Sequence, residues 1–226
     1  MKTWRVLSAL LNYPTEELVS SVPEIKDILC QEGLLSPEDR EALAPLLADL
    51  AGLDIYDLQA RYVELFDQNR ALSLHLFEHV HGESRDRGRA MVSLRERYQE
   101  AGLELCGAEL PDFLPVFLEF LSVLPREEAQ RELADAAAVI GVLARRLSRR
   151  CSVYAPALTV LARAAGEKPG DSEAAEQAAE EAEESEGLQA VDDEWQEEPV
   201  DFLRREASLA GRQRARAQGA AFRKEQ

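Results

Sequence analysis

The fold turns on one stretch, PDFLPVFLEFLSVLP, Pro111 to Pro125, in which nearly every position is apolar. Phe113, Leu114, Val116, Phe117, Leu118, Phe120, Leu121, Val123 and Leu124 occupy most of it. A helix built from them must be covered on most sides, and is the expected centre of the structure. Proline is tolerated in a first turn but not in a helix interior, so Pro115 predicts a start near Asp112, and Pro125 ends the element. Downstream, Arg126 to Arg150 reads as one long amphipathic helix with Leu133, Val139, Ile140, Leu143 and Leu147 inward, followed by a helix over roughly 154–165. Upstream, Asp54 caps a helix whose Ile55, Leu58, Tyr62, Leu65 and Phe66 recur at spacings of three and four. Thr15 before Glu16 and Glu17, and Ser36 before Pro37, Glu38 and Asp39, mark two earlier starts with acids where the helix dipole favours them. No alternating β-branched run between turn signals appears, so the fold class is all-α, a single globular helical bundle.

The chain has 226 residues and a formal net charge of −17, unevenly spread. Between Gly166 and Glu198 stand 14 acidic residues against Lys168 alone, with almost no large apolar side chain before Leu188. Such a segment lacks the apolar area to offset the entropy of ordering. The expected organisation is a helical domain over 1–165, an acidic disordered linker over 166–190 and a tail over 191–226. The tail's apolar island, Trp195 to Phe202, suits a docking role. A moderately acidic body excludes the phosphate backbone of nucleic acid as the main partner, because that binding rests on Lys and Arg displacing counterions. A basic peptide suits it better. The apolar stretch Val6 to Leu11 is closed by Asn12, Tyr13 and Pro14 before it reaches signal-peptide or membrane-span length, so neither export nor direct membrane insertion is expected, and the protein reads as cytoplasmic. Cys30, Cys106 and Cys151 are far apart and unpaired in spacing, as reduced thiols are in that compartment.

All three histidines fall within seven positions, in Ser73-Leu-His-Leu-Phe-Glu-His-Val-His81. His75, Glu78 and His79 match the H-x-x-E-H pattern of inverted zinc peptidases, with two imidazoles one helical turn apart, a carboxylate as general base and His81 as a possible third ligand. A zinc-dependent hydrolase is therefore the alternative function. The competing reading is a polar network at the end of one helix and the start of the next, in which Glu78, Glu83 and Asp86 pair with Arg85, Arg87, Arg89 and the histidines. A third is a grip by the three arginines on the pyrophosphate of a dinucleotide cofactor.

Tyr62-Val-Glu-Leu-Phe-Asp67, then Ser73 through Gly88 with Ala90-Met-Val92, resemble the signature block of the nitrate reductase assembly chaperones, the NarJ branch of the TorD-like helical chaperones. Glu109-Leu-Pro-Asp112 and Asp192-Asp-Glu-Trp195 extend the resemblance over most of the chain. It departs at Phe113, where the wider family commonly carries histidine, so no role of that histidine transfers. The resemblance implies a non-enzymatic helical chaperone of the TorD-like type. Its partner would be the nitrate reductase catalytic (alpha) subunit, bound through its N-terminal peptide and held off the membrane. It would assist insertion of the molybdopterin guanine dinucleotide cofactor without binding that cofactor stably. The expected peptide-binding residues are Tyr62, Glu64, Leu65, Phe66, Asp67, His75, Phe77, Glu78, His79, His81, Glu83, Arg85, Asp86, Arg87, Phe117 and Leu121. The apolar ones would wall a groove, and the acids would meet basic residues of the peptide.

Overall fold

The computed structural model describes residues 1–81, 85–105 and 109–166, all within the first of the chain's two units, Met1–Glu180. The linker beyond Gly166, the tail with Trp195, and Cys106 lie outside the described residues, as do Glu83 and the side chains of His81 and Arg85. Among the described residues the structure is helical, with no strand and one isolated bridge between His75 and Phe113. No helix there is long and apolar enough to cross a membrane.

The apolar stretch becomes helix α9 (Leu114–Val123), which packs against α1 (Lys2–Leu10). Leu114, Leu118 and Leu121 are fully removed from water, and so is Leu7 opposite them on α1. Burial of each such side chain contributes about 1.5 to 3 kcal/mol. The pair runs antiparallel. Ser8 Oγ donates to the Pro115 carbonyl at 2.8 Å, and the N-terminal ammonium donates to the Ser122 carbonyl near the other end.

Helix α9 starts two residues later than the sequence predicts. Phe113 is its N-cap and Pro115 lies within the first two positions, as proline requires. The first-turn N–H of Leu114, which has no partner within the helix, donates to the Leu74 carbonyl at 2.8 Å. Asp112 is thereby left outside the helix.

The caps read from sequence form as expected. Thr15 Oγ1 accepts from Leu18 N (3.2 Å) at α2 (Glu16–Ser20), which leads into α3 (Val22–Glu32). Ser36 Oγ accepts from Asp39 N (3.0 Å) at α4 (Pro37–Ala42), followed by α5 (Ala44–Gly52). Asp54 Oδ1 accepts from Tyr56 N (2.9 Å) at α6 (Ile55–Tyr62). Helix α6 then widens into a π turn, Val63–Asp67, closed by Gln68 N donating to the Val63 carbonyl at 2.9 Å. A 3₁₀ turn over Arg70–Leu72 precedes α7 (Glu78–His81) and α8 (Arg85–Glu100).

The single helix expected over 126–150 is two: α10 (Arg126–Asp135) and α11 (Ala137–Arg149), parted at Ala136 with φ −94° and ψ −1°. The break lets α10 lie on α9 while α11 packs along α12 (Ala155–Ala164). Leu133 and Ile140, on either side of it, are both fully buried. Helix α11 ends in a Schellman turn: Ser152 N donates to the Leu147 carbonyl (3.0 Å) and Cys151 N to the Ser148 carbonyl (2.9 Å). The left-handed position of that turn, usually glycine, is Cys151 at φ 51°.

Candidate functional site

The segment Leu74 to Leu76 runs beside Asp112 to Leu114. Leu76 N donates to the Asp112 carbonyl at 3.0 Å, and Leu74 accepts from Leu114 as described above. His75 therefore precedes α7 rather than sitting on it, and the two imidazoles of the H-x-x-E-H pattern are not one helical turn apart. This corrects the expectation read from the spacing.

Asp112 is fully buried and forms the hub of this region. Its Oδ1 accepts from His75 Nδ1 at 3.1 Å and its Oδ2 from Phe77 N at 3.2 Å. Arg87, from α8, lies 3.8 Å from the same Oδ2 and donates to Glu78 Oε1 at 3.1 Å. Basic and acidic groups thus alternate along the series His75, Asp112, Arg87 and Glu78. Beside them Tyr98 Oη donates to the Pro111 carbonyl at 2.7 Å, and His79 Nε2 donates to the Ser73 carbonyl at 2.8 Å. Phe113, in the position where the wider family commonly has histidine, stacks obliquely on His75 with ring centroids 5.3 Å apart.

These neighbours shift the titration of His75 and Glu78. The hydrogen bond to Asp112 raises the His75 pKa above the ordinary imidazole value and outweighs the burial that opposes it. For Glu78, burial disfavours the charge, yet bonds from Ser73 and Arg87 and the nearby His75 together hold it below the ordinary carboxylate value. Both shifts favour the charged forms, so the region is an ionic network in which acids and bases stand beside one another, the arrangement that makes buried charge tolerable.

Of the expected site residues, the structure brings together His75, Phe77, Glu78 and Arg87, with His79 alongside. Asp86 is not part of the cluster: it pairs with Arg89 on the exposed side of α8. Arg87 and Arg89 are thus each engaged by an acid. Tyr62 and Phe66 form a separate aromatic cluster with Tyr154, at centroid distances of 4.9 Å between Tyr62 and Phe66 and 5.2 Å between Phe66 and Tyr154. Burial raises the Tyr62 hydroxyl pKa and pushes that of Tyr154 up to about 12. Leu65 is half-buried, and Glu64 and Asp67 are exposed on the π turn beside this cluster. Phe117 and Leu121 are core side chains, 5% and 0% exposed. The site residue that sequence reasoning missed is Asp112, whose signals are its place just ahead of the apolar helix and in Glu109-Leu-Pro-Asp112, which the resemblance includes.

Among the described residues no group of three or more His, Cys, Asp and Glu side chains is arranged to hold a metal ion. The donor atoms of His75, Glu78 and His79 point instead to Asp112, Arg87 and Ser73. The hydrolase alternative finds no support in this geometry.

The family model described as nitrate reductase delta subunit matches residues 32–160. The chain is 44% identical over 198 residues to the nitrate reductase molybdenum cofactor assembly chaperone NarJ of Escherichia coli K12, spanning 88% of this chain and 84% of that relative. It is 38% identical over 207 residues to the probable assembly chaperone NarW of the same strain, spanning 90% and 84%. To the probable assembly chaperone NarJ of Bacillus subtilis it is 32% identical over 159 residues, spanning 70% and 85%. These relatives are named as chaperones, a non-enzymatic role. The chain belongs to the nitrate reductase delta subunit family, that of the nitrate reductase molybdenum cofactor assembly chaperones.

Proposed function

We propose that this protein is a chaperone dedicated to respiratory nitrate reductase, which binds the immature catalytic subunit through its N-terminal segment in the cytoplasm. It supports insertion of molybdopterin guanine dinucleotide, the client's cofactor rather than its own, and delays membrane docking until the client is complete. The observation that carries the reading is identity of 44% across 88% of the chain to a named assembly chaperone.

The mechanism is differential binding. A chaperone shifts its client's path only if it binds the immature form more tightly than the mature one, because equal affinity for both shifts nothing. The residues proposed for this are the polar cluster of His75, Phe77, Glu78, His79 and Arg87 and the aromatic patch of Tyr62, Leu65 and Phe66. Glu64, Asp67 and Asp86 supply exposed acids for a basic peptide, and His81, Glu83 and Arg85 extend the same segment. Phe117 and Leu121 take part only if α9 is uncovered, since both are core residues in the free protein. A π turn such as Val63–Asp67 is a frequent mark of a functional segment in a helix. Ordering a flexible peptide costs roughly 2 to 5 kcal/mol, which leaves a net affinity on the order of micromolar to tens of nanomolar and permits release.

The test is co-purification of the full chain with the nitrate reductase catalytic subunit, with and without that subunit's first residues. Capture that depends on those residues is expected, and equal capture without them would reject peptide recognition.

A further inference from the structure

From Ala136 to Gly166 the chain carries five arginines, Arg145, Arg146, Arg149, Arg150 and Arg163, and no acid, in a protein whose net charge is −17. The stretch folds into the hairpin of α11 and α12. Between the two helices runs a shallow groove of about 150 Å³. It is lined by small side chains such as Ala144, Ser148 and Thr159, by Arg145 and Arg163, and by no acid. Arg149 and Arg150, at the end of α11, are exposed, and Arg145 is half-buried. The elements packed against the hairpin take part of this charge: Asp39 of α4 pairs with Arg163 at 2.7 Å, and the Ala71 carbonyl accepts from Arg146 at 2.8 Å. Glu38 and Glu41 of α4, and Asp135 ahead of α11, do not line the groove, and Asp49, near Tyr154, is held by Arg61. The 3₁₀ turn adds a further cation, Arg70. Basic side chains in the last turns of α11 and α12 suit the helix dipole. Arg145 with Arg149, and Arg146 with Arg150, are nevertheless like charges at i, i+4, which destabilise a helix unless a counter-charge lies over them.

Directly after this basic hairpin the sequence turns acidic: Glu167, Asp171, Glu173, Glu176 and Glu180 follow, against Lys168 alone. We propose that the segment 167–180 lies over the groove and the end of α11 as an intramolecular cover, its carboxylates the counter-charge of Arg145, Arg149 and Arg150. Reach is sufficient. Helices α11 and α12 form an antiparallel pair, so Gly166, which at φ 81° turns the chain off the axis of α12, leaves beside the start of α11. The 13 residues of α11 rise about 20 Å, a span that about six extended residues cover, so Glu173 and the acids after it reach Arg149 and Arg150. Connection favours this occupant over a separate anion as well. A segment joined directly to α12 is present at an effective concentration in the millimolar range, which a free partner must exceed or outbind. Opposite charges across an exposed face also make the contact sensitive to salt. The inference does not rest on the chaperone reading.

A nitroxide spin label reads the contact in the full chain, attached through Ala178→Cys in a background of Cys30→Ser, Cys106→Ser and Cys151→Gly whose helical circular dichroism matches wild type. At low salt the label should abolish the amide signals of Ala144, Ser148 and Thr159, which return when it is reduced. Raising the salt to about 0.5 M, where the Debye length falls to about 4 Å, should also restore them. So should the triple variant Arg145→Gln/Arg149→Gln/Arg150→Gln, with its circular dichroism unchanged. A free peptide of residues 167–180 should displace the tethered segment only at about millimolar concentration, and displacement at micromolar concentration would overturn the intramolecular assignment. Signal loss confined to other helices, no loss at low salt, or loss that survives the arginine variant would overturn the cover. Mixing spin-labelled chains with unlabelled, isotope-enriched ones should leave the groove signals intact, and their loss in that mixture would overturn the proposal in favour of a second copy.

Discussion

Replacing Asp112 tests whether the buried hub organises the Ser73–His79 segment. Asp112→Ala leaves the Phe77 N–H without its acceptor, which costs about 1 to 3 kcal/mol for a buried donor. It also removes the partner of His75, whose side chain is 26% exposed, so that loss falls at the low end for a charge-assisted bond, about 1 kcal/mol. Arg87 keeps Glu78 at 3.1 Å and adds little. The expected destabilisation is about 2 to 4 kcal/mol. Asp112→Asn keeps the shape and an acceptor but not the charge, and should cost about 1 to 2 kcal/mol. The pH dependence separates a charge effect from a packing one. Because the folded-state pKa of His75 is raised, its pairing stabilises fully below the unfolded imidazole value of about 6.5 and is lost as pH rises through the raised folded value. Glu78, held low, does not titrate in this range. Urea unfolding followed by circular dichroism between pH 6 and pH 8.5 should therefore show the gap between wild type and Asp112→Asn narrowing as pH rises. A constant gap across that range would refute the ionic account of the hub, and a loss below about 0.5 kcal/mol for Asp112→Ala would refute its structural importance.

Cys151→Gly should raise stability by about 0.5 to 1 kcal/mol, because it relieves a left-handed residue at φ 51° by more than glycine's extra unfolded-state freedom takes back; a lower urea midpoint would contradict this. Asp54→Ala removes the cap on Tyr56 N and should cost about 1 kcal/mol in the same assay, with an unchanged midpoint as the opposing result. Protein purified without added metal should carry no stoichiometric zinc, and His75→Ala should leave elemental composition unchanged; one chelatable zinc per chain, lost in His75→Ala, would restore the hydrolase alternative.

Helix content and caps were legible because they rest on local physics. Thr15, Ser36 and Asp54 bond to backbone donors two or three residues away, and such contacts are written in the order of side chains. The all-apolar stretch before Pro125 likewise announced a central helix. The break at Ala136 was not legible, because an Ala-rich run permits a continuous helix and only the need to pack α10 on α9 and α11 on α12 parts it. The π turn at Val63–Asp67 was hidden for a similar reason, since the spacing of Leu58, Tyr62 and Phe66 fits an unbroken α-helix.

The candidate site divides the same way. The sequence by itself determined which residue types stand close along the chain: three histidines, Glu78 and Arg87 within 13 positions, a density that pointed to either metal or ionic pairing. Tertiary structure alone decided between them. Asp112 lies 37 residues from His75, and nothing local indicates that its carboxylate will be buried there. The deciding event is the start of α9 at Leu114. Docking the Leu74 carbonyl on the first free N–H of that helix satisfies a donor the helix cannot satisfy itself, and it brings Asp112 under His75 and Phe77. Long-range closure of this kind depends on which unsatisfied backbone groups meet when the core packs, and that information is held by the assembled chain rather than by any one stretch of it.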